Sequence, residues 1–313
     1  MQWCWRWCRS KIRNSIERQT INHPPVTNSI HMLNDSRIAF IGSGAMAEAM
    51  ISGLLAREMA RADHLTAAGP REERGRALHD KYAVRVTTDN AQAVHGADVV
   101  VLSVKPQVLP HIMPALRGRI APNALILSII AGARIETITS GLAHLHVVRS
   151  MPNTPAQIGQ GITVWIAAPG VSDEHRAQAR ALLTALGDEV EADNEDQMDM
   201  ATALSGTGPA YVFMFMEALV DAGVHLGFSR RVAEQLVTQT VKGSVDFYQH
   251  SPSHLARMRN QVTSPGGTTA EALYFLEKAG FRTAISRAVW AAYQRSVELG
   301  QGRKRFQKLD GER

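Results

Sequence analysis

Short, uninterrupted apolar runs recur through the first 190 or so residues, and stretches of helical spacing separate them. Residues 37–42 predict a buried strand, and 44–59 place apolar residues at helical intervals. Residues 64–68 predict a second strand, 71–82 a charged helix, and the short β-branched stretch 84–86 a third strand. The runs 98–103 and 124–130 are largely apolar, which suits strands buried on both faces of a parallel sheet. This part therefore reads β-α-β-α-β. Strands at 144–149 and 161–167, a helix at 173–186 capped by Ser172, and a last strand at 189–192 complete it.

The pattern changes after about Asn194. Only helices are predicted from there: 195–203, 209–226, 230–249, 252–261, 268–278 and 281–300. Helix 209–226 is apolar nearly all round, with Tyr211, Phe213, Phe215 and Leu219 on different faces. Such a helix has to be covered on every side. That predicts an oligomer interface with helices interleaved between subunits. The expected fold class is α/β, a Rossmann-type doubly wound parallel sheet followed by an all-α dimerisation domain. The divisions are an extension at 1–36, a nucleotide-binding domain at 37–194, a helical substrate and dimerisation domain at 195–302, and a basic tail at 303–313.

Composition adds limits. The length of 313 residues suffices for two cores. The formal charge of +5 invites a nucleic-acid reading. The two tails, however, hold a net +6, and the body, 37–302, about −1. A nucleic-acid face would concentrate charge on the fold, so that partner is not expected. Cys4 and Cys8 are the only cysteines, too few for a structural metal site and absent from the body. His250 and His254, four apart, read as a helix surface, so no metal is expected. No apolar run reaches the roughly 20 residues of a membrane span, because Glu217 interrupts the longest candidate, 210–220. The Arg-rich segment 1–36 is either a targeting or membrane-surface segment or the product of too early a start codon. The second reading is preferred, with Met32 as the true start, and deletion of 1–31 is expected to leave activity intact.

The first Gly-rich turn is Gly42-Ser43-Gly44-Ala45-Met46-Ala47, between a strand and a helix. Gly42 permits the tight turn, Gly44 lets the backbone approach a pyrophosphate, and Ala47 allows close helix–strand packing. The helix N-terminus offers free N–H groups to the phosphates. Dinucleotide sites for NAD place Asp or Glu at the end of the second strand. Here Ala68-Gly69-Pro70-Arg71 and then Arg74 follow instead, which favours the 2′-phosphate of NADPH, with NADH possible. The bland alternative is that both arginines solvate a helix or pair with Glu72 and Glu73. Ser103-Val104-Lys105-Pro106, Ala131-Gly132 and Asn153 end later strands, where a nicotinamide ring would lie. Lys105 alone reads equally as a surface lysine.

Two further Gly-rich turns open helices in the second half, Leu204-Ser205-Gly206-Thr207-Gly208-Pro209 and Ser264-Pro265-Gly266-Gly267-Thr268-Thr269. Thr268 and Glu271 have capping-box spacing. Two glycines before a helix N-terminus also make an anion site of backbone N–H groups, and Ser264, Thr268 and Thr269 add hydroxyls. A small carboxylate fits. No acid–base pair or activated nucleophile stands out.

These residues, with Arg149-Ser150-Met151-Pro152-Asn153-Thr154-Pro155, make the chain resemble the pyrroline-5-carboxylate reductases over about 37–300. The resemblance implies a homodimer or a ring of dimers in the cytoplasm. It implies reduction of 1-pyrroline-5-carboxylate to L-proline with NAD(P)H, the last step of proline biosynthesis. Ser264, Gly266, Gly267, Thr268 and Thr269 would hold the substrate, with Ser264 and Thr269 as catalytic candidates and Thr269 hydrogen-bonding the imine nitrogen. Asn90 would lie near the adenosine ribose and its phosphate. Departures are Ala45 where many relatives carry Asn or Gln, Arg259-Asn260 in place of a basic–acidic pair, and the loss of a serine-rich turn at Ala68-Gly69-Pro70. Two alternatives remain: a β-hydroxyacid-dehydrogenase-like NADP enzyme, which would need a lysine absent from helix 209–226, and a non-catalytic NADP-binding protein.

Overall fold

A computed structural model describes residues 33–251 and 253–300. The readings of Cys4, Cys8, Met32 and the tail 303–313 lie outside the described residues. Eight strands form one sheet: β1 (Ile38–Ile41), β2 (Leu65–Ala68), β3 (Arg85–Thr87), β4 (Val99–Leu102), β5 (Leu125–Ser128), β6 (Val147–Met151), β7 (Gly161–Ala167) and β8 (Gly187–Glu191). Their order is β3-β2-β1-β4-β5-β6-β7-β8. Every residue of β1, β4 and β5 is buried, which is why those runs carry no polar alternation. The chain winds outward from β1 in one direction and from β4 in the other. With right-handed crossovers, that places the helices on both faces. The switch point between β1 and β4 opens a crevice beyond their carboxyl ends.

The sheet departs from the expected all-parallel plan at one place. β7 runs antiparallel to β6, and β8 then returns parallel to β7. The link from β6 to β7 holds only a 3₁₀ turn, Thr154–Ile158, too short for a crossover helix. β7 alternates buried and half-buried positions.

The helices of this domain are α1 (Ala45–Ala56), α2 (Glu72–Tyr82), α3 (Asn90–Val94), α4 (Leu109–Leu116), α5 (Ile135–Leu142) and α6 (Asp173–Thr184). Ser172 caps α6 as expected, its Oγ accepting from the His175 N–H. Leu33, ahead of the first strand, is fully buried, so the packed core begins before residue 37.

The second half comprises α7 (Asp196–Ala201), α8 (Gly208–His225), α9 (Arg230–His250), α10 (Leu255–Gln261), α11 (Thr268–Lys278) and α12 (Phe281–Gly300). Between α7 and α8 the expected open turn is instead a π-helical turn, Thr202–Gly206. The Thr207 N–H reaches back to the Thr202 carbonyl at 2.8 Å. The hydroxyls of Thr202, Ser205 and Thr207 donate to backbone carbonyls there, competing with regular helix bonds. The helical stretch Asp196–His225 is thereby long and apolar enough to cross a membrane by length and composition alone.

Within one chain this half has a minimal core, Val220, Ala233 and Val237. Phe213, Met214 and Phe215 on α8, Phe247 on α9, Phe275 on α11 and Trp290 on α12 are exposed. The junction between halves is polar and buried. The Arg149 Nη1 lies 2.8 Å from Glu195 Oε1, its Nη2 3.6 Å from Asp199 Oδ1, and the Ser296 hydroxyl donates to Asp199 at 2.6 Å.

Candidate active site

The carboxyl ends of the strands at the switch point are bound directly to one another. The Gly42 N–H donates to the Ala68 carbonyl and the Gly69 N–H to the Thr87 carbonyl. The Ser103 hydroxyl donates to the Gly42 carbonyl at 2.7 Å. The exits of β1, β2, β3 and β4 thus form one continuous rim, carrying Gly42, Ser43, Arg71, Asn90, Ser103 and Lys105.

The turn after β1 is shaped for a nucleotide. Gly42 has φ +108°, and a Cβ there would meet the Ser103 carbonyl oxygen at 2.6 Å. Gly44 is different, since a Cβ there would meet nothing within 4 Å. Gly44 is also the N-cap of α1 and supplies no side-chain cap. The first intrahelical bond runs from the Glu48 N–H to the Gly44 carbonyl, leaving the N–H groups of Ala45, Met46 and Ala47 free of intrahelical partners. Open space above three free donors at a helix N-terminus fits a pyrophosphate. NAD(P)H would be held there.

The two arginines expected near the adenosine separate in role. Arg74 Nε donates to the Ser43 carbonyl at 2.9 Å, and its guanidinium pairs with Glu48. It is a brace between α2 and the Gly-rich turn. Glu48 also receives Lys81 Nζ at 2.9 Å and the Tyr82 hydroxyl at 3.1 Å. Lys81 first and Arg74 next hold its carboxyl down at about 2. The partner of Arg74 is therefore Glu48, not Glu72 or Glu73. Arg71, the N-cap of α2, is exposed; its carbonyl accepts from the Gly75 N–H, and its guanidinium engages no described residue. Asn90 opens α3 behind Asp89, whose carboxylate accepts from the Ala91 and Gln92 N–H groups.

On the nicotinamide side, Val104 packs on the core and Lys105 is exposed beside half-buried Pro106. Ala131 is half-buried, and Gly132, at φ +74°, lies against Leu299 and Gly300 at the end of α12. Asn153 Oδ1 accepts from the Ile162 N–H at 3.0 Å, a bond that anchors the start of β7.

The 264–269 loop is a tight turn. The Gly267 N–H donates to the Ser264 carbonyl at 3.0 Å, with Pro265 and Gly266 (φ +66°) at the corners. Gly267, not Thr268, is the N-cap of α11, so the expected capping box is absent. The consequence is favourable for an anion: no side chain covers the N–H groups of Thr268, Thr269 and Ala270. The Gly267 N–H is already committed within the turn. Ser264, Gly266 and Thr268 are exposed, and the loop's hydrogen bonds among the described residues stay within its own helices. One chain alone does not join this loop to the nucleotide turn. Among the described residues no group of three or more His, Cys, Asp or Glu side chains converges as a metal site.

Residues 195–299 match the model for pyrroline-5-carboxylate reductase dimerisation, and 37–132 match that for NADP oxidoreductase, coenzyme F420-dependent. Pyrroline-5-carboxylate reductase from Synechocystis is 41% identical over 265 residues, covering 85% of this chain and 98% of the relative. The chain belongs to the pyrroline-5-carboxylate reductase family. The reductase of Pseudomonas aeruginosa is 42% identical, covering 86% of this chain and 98% of its own length. The crystal structure of Plasmodium falciparum pyrroline carboxylate reductase with NADP bound superposes with a TM-score of 0.79 at 30% identity, covering 86% of this chain and 99% of that one. The Rossmann-type fold with a helical dimerisation domain is thus the family's.

Sequence reasoning missed the Glu48 hub and the Arg149 network. Glu48 is the lone acid in an otherwise apolar helix, and Arg149 a charge inside an apolar strand; each was a visible signal.

Proposed function

We propose that this chain is a pyrroline-5-carboxylate reductase, reducing the C=N bond of 1-pyrroline-5-carboxylate to give L-proline. The observation that carries the reading is the uncapped, unobstructed N-terminus of α1 at the sheet's switch point, in a chain matching nearly the full length of reductases of that name. NADPH supplies the hydride, and NADH is the second donor. An imine protonated at nitrogen already accepts hydride, so the protein has to position two reactants and steady changing charge. The free N–H groups at the start of α1 orient the dinucleotide. The N–H groups of Thr268 and Thr269 and the Ser264 hydroxyl bind the substrate carboxylate, Gly266 and Gly267 shape that turn, and the Thr269 hydroxyl hydrogen-bonds the imine nitrogen. Lys105, Pro106, Ala131, Gly132 and Asn153 border the nicotinamide.

The exposed apolar faces of α8, α9, α11 and α12 support a homodimer, and a ring of dimers extends it. Assembly brings the 264–269 loop to a nucleotide site that one chain leaves open. A cytoplasmic enzyme fits a body free of cysteine. Helix α8 contains no lysine, which weighs against the hydroxyacid-dehydrogenase alternative. The test is oxidation of NADPH and of NADH by purified protein given racemic 1-pyrroline-5-carboxylate, with proline measured as product. Proline formation is expected. NADPH binding without turnover would leave the non-catalytic nucleotide-binding reading in its place.

A further inference from the structure

The rim between β1 and β2 carries a hydroxyl whose place in the fold is unusual. The Ser43 side chain leans across the gap to the exit of β2, so that a Cβ built on Gly69 would lie 2.4 Å from Ser43 Oγ and 3.3 Å from Ser43 Cβ. No described residue forms a hydrogen bond with that hydroxyl, and Ser43 is only half-buried. The backbone beneath it is held firmly. The Ser43 carbonyl accepts from Arg74 Nε, and Gly69 is pinned by its N–H to the Thr87 carbonyl. The end of β2 is where a dinucleotide fold meets the ribose 2′ position. An enzyme for NADH puts a carboxylate there. Here the strand ends Ala67-Ala68-Gly69-Pro70, with no side-chain acceptor or donor at its tip.

Nearby charges bear on the choice. Glu48, on the flank of α1, is saturated by Lys81, Arg74 and Tyr82. Asp89 is spent on capping α3. Glu72 and Glu73 lie in the first turn of α2, following Arg71. Arg74 is consumed as a brace. Among the described residues, the side chains left free at the exit are the Ser43 hydroxyl, the Asn90 amide and the Arg71 guanidinium.

We infer that Ser43, from the Gly-rich turn, donates its hydroxyl to the 2′-phosphate of NADPH, replacing the hydroxyl that the β2 turn lacks, and that Gly69 lacks a side chain to leave it room. Ser43 is then a specificity-determining residue that acts with Arg71. The inference rests on the nucleotide-site reading of the 42–47 turn.

The test uses nucleotide fragments, so it does not depend on turnover. Binding of 2′,5′-ADP and 5′-AMP to the intact protein is measured by calorimetry for wild type, Ser43→Ala, and Ser43→Ala combined with Gly69→Ser. Loss of one hydrogen bond to a charged group predicts that Ser43→Ala weakens 2′,5′-ADP roughly ten- to hundredfold. Binding of 5′-AMP should stay unchanged. The double variant moves the hydroxyl across the same gap and should recover affinity for 2′,5′-ADP, which a purely structural role for Ser43 would not produce. Unchanged 2′,5′-ADP binding in Ser43→Ala, or equal loss of both fragments, overturns the assignment. Wild type binding both fragments alike also overturns it, while the nucleotide site stands. Wild type binding neither overturns the nucleotide site itself.

Discussion

Gly42 and Gly44 stand two apart in one turn and meet opposite surroundings. Gly42 is pressed against the Ser103 carbonyl with a positive φ, whereas Gly44 faces open space. Gly44→Val should therefore fold with a near-normal Tm yet bind NADPH far more weakly, because its side chain would fill the space above α1. Gly42→Val should lower the Tm itself; thermal melts with and without NADPH separate the two. Thr269→Ala should lower kcat roughly ten- to a thousandfold, the scale of losing one positioned donor. Wild-type turnover in that variant would remove the hydroxyl from the mechanism. Arg71→Ala should raise the Kd for NADPH more than that for NADH; equal effects on both would withdraw its 2′-phosphate role. Arg74→Ala should affect both alike, since Arg74 braces the turn through the Ser43 carbonyl.

Helices α1 and α2 are joined through Glu48, which meets Arg74, Lys81 and Tyr82 at once. Its folded pKa, about 2, lies below the ordinary 4.5. The folded state thus binds a proton less readily than the unfolded chain. The stabilisation is fully present above about pH 4.5 and is lost as pH falls toward 2. Glu48→Gln should destabilise the protein at neutral pH and flatten the acid limb of its stability curve, measured by denaturant melts. His144 acts in the same direction at higher pH. Burial lowers its pKa below 6.5, while its Nε2 donates to the Ala124 carbonyl at 2.6 Å. That contribution is present above pH 6.5 and declines as the solution is acidified below it.

The two halves meet through Arg149, whose side chain is 3% exposed and faces Glu195 and Asp199. Removing the guanidinium leaves buried Asp199 with the Ser296 hydroxyl alone, and Glu195 with the Ile135 N–H and Arg134 at 3.7 Å. Arg149→Ala should cost about 3–5 kcal/mol in chemical denaturation, the scale of a broken buried pair. Asp199 is also held by Ser296 from α12, and the end of α12 lies on Gly132. The packing of the helical half is thus tied to the Gly132 turn, proposed above as a border of the nicotinamide. At the outer surface, Phe213 and Met214 are 61% and 74% exposed in one chain. A charge there, as in Met214→Glu, should shift sedimentation toward the monomer and abolish turnover while leaving NADPH binding to the first domain.

The strands, their order of appearance, the nucleotide turn and the change to an all-helical second half were legible in the sequence. Each is written in local periodicity: unbroken apolar runs for doubly buried strands, and Gly-x-Gly between a strand and a helix. The all-apolar α8 likewise announced its need for a partner. Tertiary structure decided what depends on residues far apart in the chain. It reversed β7, because a short link cannot carry a crossover helix. It spent Arg74 on Glu48, left Arg71 free, and set Ser43 against Gly69. It turned the 202–206 segment into a π-helical turn and moved the cap of α11 from Thr268 to Gly267. Spacing along a chain reports which face a side chain takes, whereas its partner is chosen by the packing of distant segments.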